Sequence, residues 1–116
     1  MDVKTNSEVF INGATQAWQT LEDGLKRQFL GYDDQLMMVK VTFKKGGIGQ
    51  LHKHYHSQTT YVVGGKFEVT IGDKKQVLEA GDAFYAPPNV IHGAVCLEDG
   101  MLIDVFSPAR EDFLTP

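Results

Sequence analysis

The sequence predicts an all-β protein, a sandwich or barrel of the jelly-roll kind. Short runs of alternating or β-branched residues are separated by Gly, Asn, Asp and Pro, the residues that end strands and form turns. An apolar stripe with helical spacing is missing from almost the whole chain. The length of 116 residues, with no Pro-, Gly- or Ser-rich linker, fits one domain, which we place at residues 1–116.

Along the chain, the first regular segment is residues 14–22, which we interpret as a helical turn. The remaining patterns are those of strands, each followed by a turn signal: 39–43 before Gly46-Gly47, 60–63 before Gly64-Gly65, 66–71 before Gly72-Asp73, 83–86 before Pro87-Pro88, and 101–106 before Ser107-Pro108. The turn at Gly72-Asp73 leads to Val77-Leu78 and predicts a hairpin.

Composition excludes several classes of protein. The 11 Lys and Arg against 15 Asp and Glu give a net charge of −4, with no basic run that would bind a nucleic acid. A single cysteine, Cys96, permits neither an internal disulfide nor a four-cysteine zinc site. No apolar run reaches the roughly 18 residues of a membrane helix, and no secretory pattern is present, so we expect a soluble cytoplasmic protein.

Three of the four histidines, His52, His54 and His56, lie at every second position. On a strand, side chains two positions apart point to the same side, so their imidazole rings would converge. The nitrogens of such a row of imidazoles are hard to supply with hydrogen-bond partners unless they share a cation. The spacing therefore favours a metal site, and a polar patch or a partner surface is the alternative.

Two longer patterns around these histidines resemble the metal-binding motifs of cupins. The first motif, at residues 46–65, is matched by Gly46, His52, His54, Gln58 and Gly65, with Gln58 where Glu is more common. The second, at residues 81–96, is matched by Gly81, Pro87 and His92, with Asn89 and Cys96 in place of the usual Gly and Asn. The resemblance implies a cupin barrel in which His52, His54, Gln58 and His92 bind one divalent metal. Imidazole nitrogens and an amide oxygen suit Ni, Zn, Mn, Fe or Co. His56, which the motif skips, is expected beside the ligands.

The segments that flank the motifs resemble one branch of the cupins, the KdgF-type pectin-degradation proteins. The resemblance implies an enzyme that opens the ring of 4,5-unsaturated monouronates, derived from pectin or alginate, to give 4-deoxy-5-keto uronates. The active-site Asp, Phe and Arg of that branch correspond to Asp104, Phe106 and Arg110.

These tail residues also have structural interpretations. An aspartate within an apolar strand indicates either a pocket or a salt bridge, and Arg110 could serve in either. Phe106 is of a type common in cores, whereas the guanidinium of Arg110 suits a uronate carboxylate. We interpret Lys26 and Arg27 as a solvated strand face.

Two other functions fit the same ligand set. One is a mononuclear metal cupin dioxygenase, and the other is a cupin that binds a sugar or small acid without turnover. The expected ligand is a small sugar acid, with no nucleic-acid or membrane partner. We also expect a homodimer, because the segment from Val9 to Gly13 could pair with or exchange into a second copy.

Overall fold

The structure, a computed structural model, describes residues 6–114. In this range the chain forms eight strands and one short helix: β1 (Trp18–Glu22), β2 (Leu25–Tyr32), β3 (Met37–Phe43), β4 (Ile48–His52), β5 (Ser57–Ile71), β6 (Lys74–Glu79), β7 (Ala83–Ala86), β8 (His92–Ser107) and α1 (Glu111–Leu114). None of the helical structure in residues 6–114 has the length and apolar character needed to span a membrane.

Two long strands, β5 and β8, form the centre of the architecture. They pair antiparallel along most of their length, from Ser57 with Ser107 to Ile71 with His92. The early half of β5 also pairs with β7 and its late half with β6, while the early half of β8 pairs with β4 and its late half with β3. Strands β2 and β1 extend the sheet beyond β3. Each long strand therefore belongs to both sides of the molecule, and the predicted all-β jelly-roll fold is confirmed.

Strand β5 passes through Gly64-Gly65, so the prediction that a strand ends there is wrong. The pairing with β8 shifts register on both sides of Gly64, and Gly65 has a φ of 85°. A Cβ on Gly65 would lie 2.5 Å from Cα of Gly100 on the neighbouring strand. The glycine pair thus bends a continuous strand where the two backbones approach closely.

The core lies between the two sides of the roll. On β3 the side chains of Met37, Val39, Val41 and Phe43 are buried, as the predicted alternation requires. They pack against apolar side chains from other strands: Leu25, Val62, Phe67, Val69, Leu78, Ala94, Cys96, Leu102 and Phe106. Cys96 is buried, so it behaves as a small apolar residue.

The segment before β2 differs from its prediction. Residues 14–22 contain a turn and then the edge strand β1, not a helical turn. All five residues of β1 are exposed, and the strand pairs with β2 from Trp18 with Gln28 onwards. Because this segment has no apolar face to bury, its stability comes from backbone hydrogen bonds to the edge of the existing sheet. A short isolated helix would be less stable.

Candidate active site

Three histidines from two distant parts of the chain meet at one end of the roll. His52 ends β4, His92 begins β8, and the two are direct partners in the sheet. His54 lies in the loop between β4 and β5. The ring centroids of His52 and His92 are 4.5 Å apart, and those of His54 and His92 are 4.8 Å apart. One nitrogen of each ring lies within 4.8 Å of the others, so these three residues form a candidate metal group.

The row of alternating histidines does not lie on one strand. Strand β4 ends at His52, so strand alternation does not determine where His54 and His56 point. His54 reaches the group from the loop, where its Nδ1 lies 3.1 Å from the main-chain oxygen of His56. The imidazole of His56 is buried outside the group. The structure thus brings together His52, His54 and His92, and the His56 ring packs edge-on against that of His54, with centroids 5.2 Å apart, without joining the group.

His56 contacts helix α1 instead. Its Nε2 lies 3.2 Å from Oε2 of Glu111, whose Oε1 accepts a hydrogen bond of 2.5 Å from the hydroxyl of Tyr55. His56, Glu111 and Asp112 form a second group with metal-ligand spacing. Both Asp112 oxygens already accept hydrogen bonds from Arg110. These contacts join α1 to the histidine loop.

Hydrogen bonds to main-chain oxygens determine which nitrogen of each clustered histidine carries its proton. The Nδ1 atoms lie 2.7 to 3.1 Å from such oxygens: His52 from that of Gln50, His54 from that of His56, and His92 from that of Val90. A carbonyl oxygen only accepts, so Nδ1 is the donor in each ring. In a neutral ring, Nε2 then presents a lone pair. In metal sites, carbonyl oxygens that accept from the other ring nitrogen orient the binding histidines in the same way.

Gln58, the second residue of β5, presents a fourth lone pair to the same point. Its Nε2 donates to the hydroxyl of Thr60 at 2.9 Å and lies 3.4 Å from Oδ1 of Asp104, which fixes the amide orientation. Its Oε1 therefore faces Nε2 of His54 at 3.0 Å and Nε2 of His92 at 3.1 Å. Burial lowers the pKa of both histidines, which favours their neutral forms. Oε1 of Gln58 and the two Nε2 atoms are thus all hydrogen-bond acceptors that face one another. Their lone pairs fit a divalent transition-metal ion.

Asp104 lies beside this group on β8. It is the direct sheet partner of Thr60, whose hydroxyl donates to its Oδ1 at 2.7 Å. Burial raises the pKa of Asp104 to about 6, and the Thr60 hydrogen bond and the charge of Arg110 act in the opposite direction. Its Oδ2 has no hydrogen-bond partner among residues 6–114.

Two small cavities adjoin the candidate ligands. One, of about 170 Å³, is lined by His52, Gln58 and Asp104 together with Arg27, Phe106, Arg110, Phe113 and apolar core residues. The other, of about 80 Å³, shares the first three residues and adds His92. A larger groove of about 370 Å³ runs along β5, β6 and β7, but it contains none of the candidate ligands or tail residues. We therefore place the candidate active site at the two smaller cavities.

Arg110 lines the larger of these two cavities but is already engaged. Its Nε and Nη2 donate to the two carboxylate oxygens of Asp112 at 3.0 and 2.8 Å. Its guanidinium also lies over the rings of Phe106, at 5.2 Å, and Phe113, at 4.2 Å. The structural ion pair of Arg110 is thus formed with Asp112 and not with Asp104.

Known proteins are similar to this chain in sequence and in fold. The family model of the cupin domain matches residues 39–106. The pectin degradation protein KdgF of Dickeya dadantii is 51% identical over 107 residues, which cover 90% of this chain and 96% of that protein. The chain is a cupin of the KdgF group. An RmlC-like cupin from Shewanella frigidimarina superposes with a TM-score of 0.93 at 51% identity, covering 95% of this chain and 99% of that one. KdgF from Halomonas sp. gives 0.89 at 43% identity, covering 93% and 100%.

In this KdgF-type cupin the structure adds two residues that the sequence analysis missed. Thr60 joins Gln58 to Asp104, and its position two residues after Gln58 on one strand face was a usable signal. Arg27 lines the cavity, so its assignment to a solvated face is wrong, whereas Lys26 is exposed as predicted. The signal for Arg27 was its alternation with the apolar residues Leu25 and Phe29.

Proposed function

We propose that this cupin opens the ring of a 4,5-unsaturated monouronate and yields the 4-deoxy-5-keto uronate. Membership of the KdgF group supports the reaction class. The observation that carries the proposal is the meeting of four lone pairs, from three imidazoles and the Gln58 amide, beside a cavity that also contains Asp104.

His52, His54, Gln58 and His92 are the residues that would hold one divalent transition metal. Three nitrogens and one neutral oxygen would leave the full charge of the ion uncompensated by its ligands. When bound, such an ion supplies Lewis-acid stabilisation for negative charge that develops on a substrate oxygen. The choice among Ni, Zn, Mn, Fe and Co is left to elemental analysis.

The conversion is an isomerisation that needs no oxidant and consumes no water. The bond between the anomeric carbon and the ring oxygen breaks, and the anomeric hydroxyl loses its proton to become an aldehyde. The former ring oxygen becomes an enolate oxygen, and a proton delivered to carbon 4 converts the enolate to the ketone. One proton leaves oxygen and one reaches carbon, so a single acid–base group in the cavity can serve both steps.

Asp104 is the residue that we assign to move this proton. The Thr60 hydroxyl and the Gln58 amide hold its Oδ1, which leaves Oδ2 for the substrate. Phe106 is 2% exposed and packs edge-on against His54 with ring centroids 5.8 Å apart. It therefore forms an apolar wall that positions the His54 imidazole, while the Arg110 guanidinium adds positive charge to the cavity.

The test is a progress curve on purified 4,5-unsaturated galacturonate, with loss of the enol-ether absorbance followed against the uncatalysed rate. NMR identifies the product. The wild-type protein is expected to accelerate the reaction, and Asp104→Asn and His92→Ala are expected to slow it sharply while remaining folded. Oxygen consumption would favour a dioxygenase, and binding of the uronate without acceleration would favour a module without turnover.

We also propose that the protein is a homodimer. In support, Val9 and Phe10, in the segment that we expect to pair with a second copy, are 87% and 86% exposed. This segment has no regular strand structure within the single chain. Light scattering on a size-exclusion column tests the proposal, and Phe10→Ser should shift the protein towards monomer. The cytoplasmic location stays a prediction.

A further inference from the structure

Arg27 lies on the inner side of β2, between two apolar neighbours of the same face. It is half-buried and lines the larger cavity with His52, Asp104 and Arg110. The next residue towards the amino terminus, Lys26, is exposed. A guanidinium that is partly removed from water at a cavity of this kind needs partners to offset the loss of hydration.

The partners of Arg27 satisfy only part of its hydrogen-bonding capacity. Its Nε donates to Oε1 of Gln19 at 2.8 Å, and its guanidinium lies 5.2 Å from the ring centre of Phe29. Within residues 6–114, neither of its terminal nitrogens donates a hydrogen bond, and no carboxylate is within ion-pair distance. In Arg110, by contrast, Nε and Nη2 both donate to the carboxylate of Asp112.

The aromatic ring of Phe113 brings the two guanidinium groups together. The central carbons of Arg27 and Arg110 each lie 4.2 Å from the centre of this ring. Burial lowers the pKa of Arg27, and the charge of Arg110 lowers it further, although arginine remains protonated. Asp112 forms its ion pair with Arg110, and its charge acts on Arg27 only from beyond ion-pair distance, which leaves the terminal nitrogens of Arg27 available at the cavity.

We propose that Arg27 is the specificity residue that binds the carboxylate of the sugar acid through its two terminal nitrogens, with Arg110 adding charge from across Phe113. The proposal rests on the proposed function, since it names the group that selects a uronate over a neutral sugar. A guanidinium edge with two free donors matches the two oxygens of a carboxylate. It gives Arg27 the contact that the sequence analysis expected of the Arg110 guanidinium, because the fork of Arg110 is held by Asp112.

The test compares Arg27→Met, Arg27→Lys and the control Lys26→Met in steady-state kinetics on 4,5-unsaturated galacturonate. A charge-assisted contact made equally in the ground and transition states changes KM and not kcat. We expect Arg27→Met to raise KM roughly 10- to 100-fold with kcat changed less than about threefold. Arg27→Lys should recover part of the loss, since it keeps the charge without the fork. Lys26→Met should behave as wild type, and unchanged metal content and thermal midpoint show that the site is intact.

A binding experiment separates failure of this inference from failure of the proposed function. Isothermal titration calorimetry compares galacturonate with galactose as probes for all four proteins. If the wild type converts the unsaturated uronate but Arg27→Met keeps the wild-type KM, the inference is wrong and the function stands. If conversion fails but galacturonate is preferred only when Arg27 is present, the carboxylate role stands and the function is wrong. If the wild type shows neither conversion nor preference for the acid, both are overturned.

Discussion

Exchanging the Gln58 amide for a carboxylate by Gln58→Glu probes the arrangement on which the site depends. The amide serves two neighbours at once, because Oε1 faces the histidines while Nε2 faces Thr60 and Asp104. A glutamate would add a charged ligand on the histidine side. On the other side it would replace a donor with an acceptor, so two carboxylates would face each other. The substitution should therefore weaken the metal-free protein and strengthen metal binding.

The size of this effect follows from the geometry. Gln58 Nε2 lies 3.4 Å from Asp104 Oδ1, and two unit charges at that separation repel by about 5 kcal/mol at an effective dielectric constant of about 20. The pair can avoid this repulsion by binding a proton. Protonation at about pH 7 costs about 1 kcal/mol at Asp104, whose pKa is about 6, and about 4 kcal/mol at an introduced carboxyl with an ordinary pKa of about 4.3; the loss of the amide donor adds about 1 kcal/mol. After local rearrangement we expect a loss of about 2 to 4 kcal/mol.

Thermal unfolding of chelated and metal-loaded samples measures this loss. For a chain of this length, the metal-free Gln58→Glu protein should unfold roughly 8 to 16 °C below the metal-free wild type. Added metal should reduce the difference, because a shared cation offsets the repulsion. The control is Gln76→Glu, which makes the same exchange at an exposed position on β6. A metal-free Gln58→Glu protein that unfolds within about 2 °C of the wild type would refute the assigned amide orientation.

Two further substitutions test the structure around the site. Thr60→Val keeps the shape but leaves the Gln58 amide and the Asp104 carboxylate without the hydroxyl that joins them, so urea unfolding should show a loss of about 1 to 3 kcal/mol and activity should fall. The control is Thr59→Val, at an exposed position of the same strand. Equal losses of stability and activity in the two variants would contradict a role specific to Thr60. Gly65→Ala should cost more than about 2 kcal/mol, because its φ is 85° and its Cβ would meet Gly100. Gly64→Ala, whose Cβ would meet nothing within 4 Å, should cost less, and the reverse order would contradict the described bend.

Local patterns explain why much of the fold could be predicted from the sequence. The alternation of Val39, Val41 and Phe43 reports a half-buried strand whatever its neighbours are, and β3 has that form. The course of β5 through Gly64-Gly65 could not be predicted, because the same residues end a strand or bend it. Only the approach of Gly100 from β8 decides between these outcomes.

The candidate site shows a similar division. The histidine spacing predicted a metal site, and the resemblance to the cupin motifs implied the set of His52, His54, Gln58 and His92. The structure brings these four together. The reasoning from strand alternation was wrong for His54, because a loop and not a strand carries it to the group. Asp112 lies only two residues after Arg110, so the sequence contained a local signal for this ion pair that the interpretation of Arg110 overlooked. The contact between His56 and Glu111 of α1 is long-range and had no local signal. Arg27 alternates with Leu25 and Phe29, which indicated the inner face of the strand. Its charge led us to place it on the solvated face instead.

The most direct test of the central claim is the metal content of the purified protein, measured by elemental analysis with and without substitution of single histidines. The wild type is expected to carry one transition-metal ion per chain, His92→Ala to lose it, and chelation to abolish ring opening until metal is restored. His56→Gln, which changes a buried histidine outside the group, is expected to retain the ion. A chelated wild type that opens the ring at full rate, or a His92→Ala variant with undiminished metal, would contradict the account.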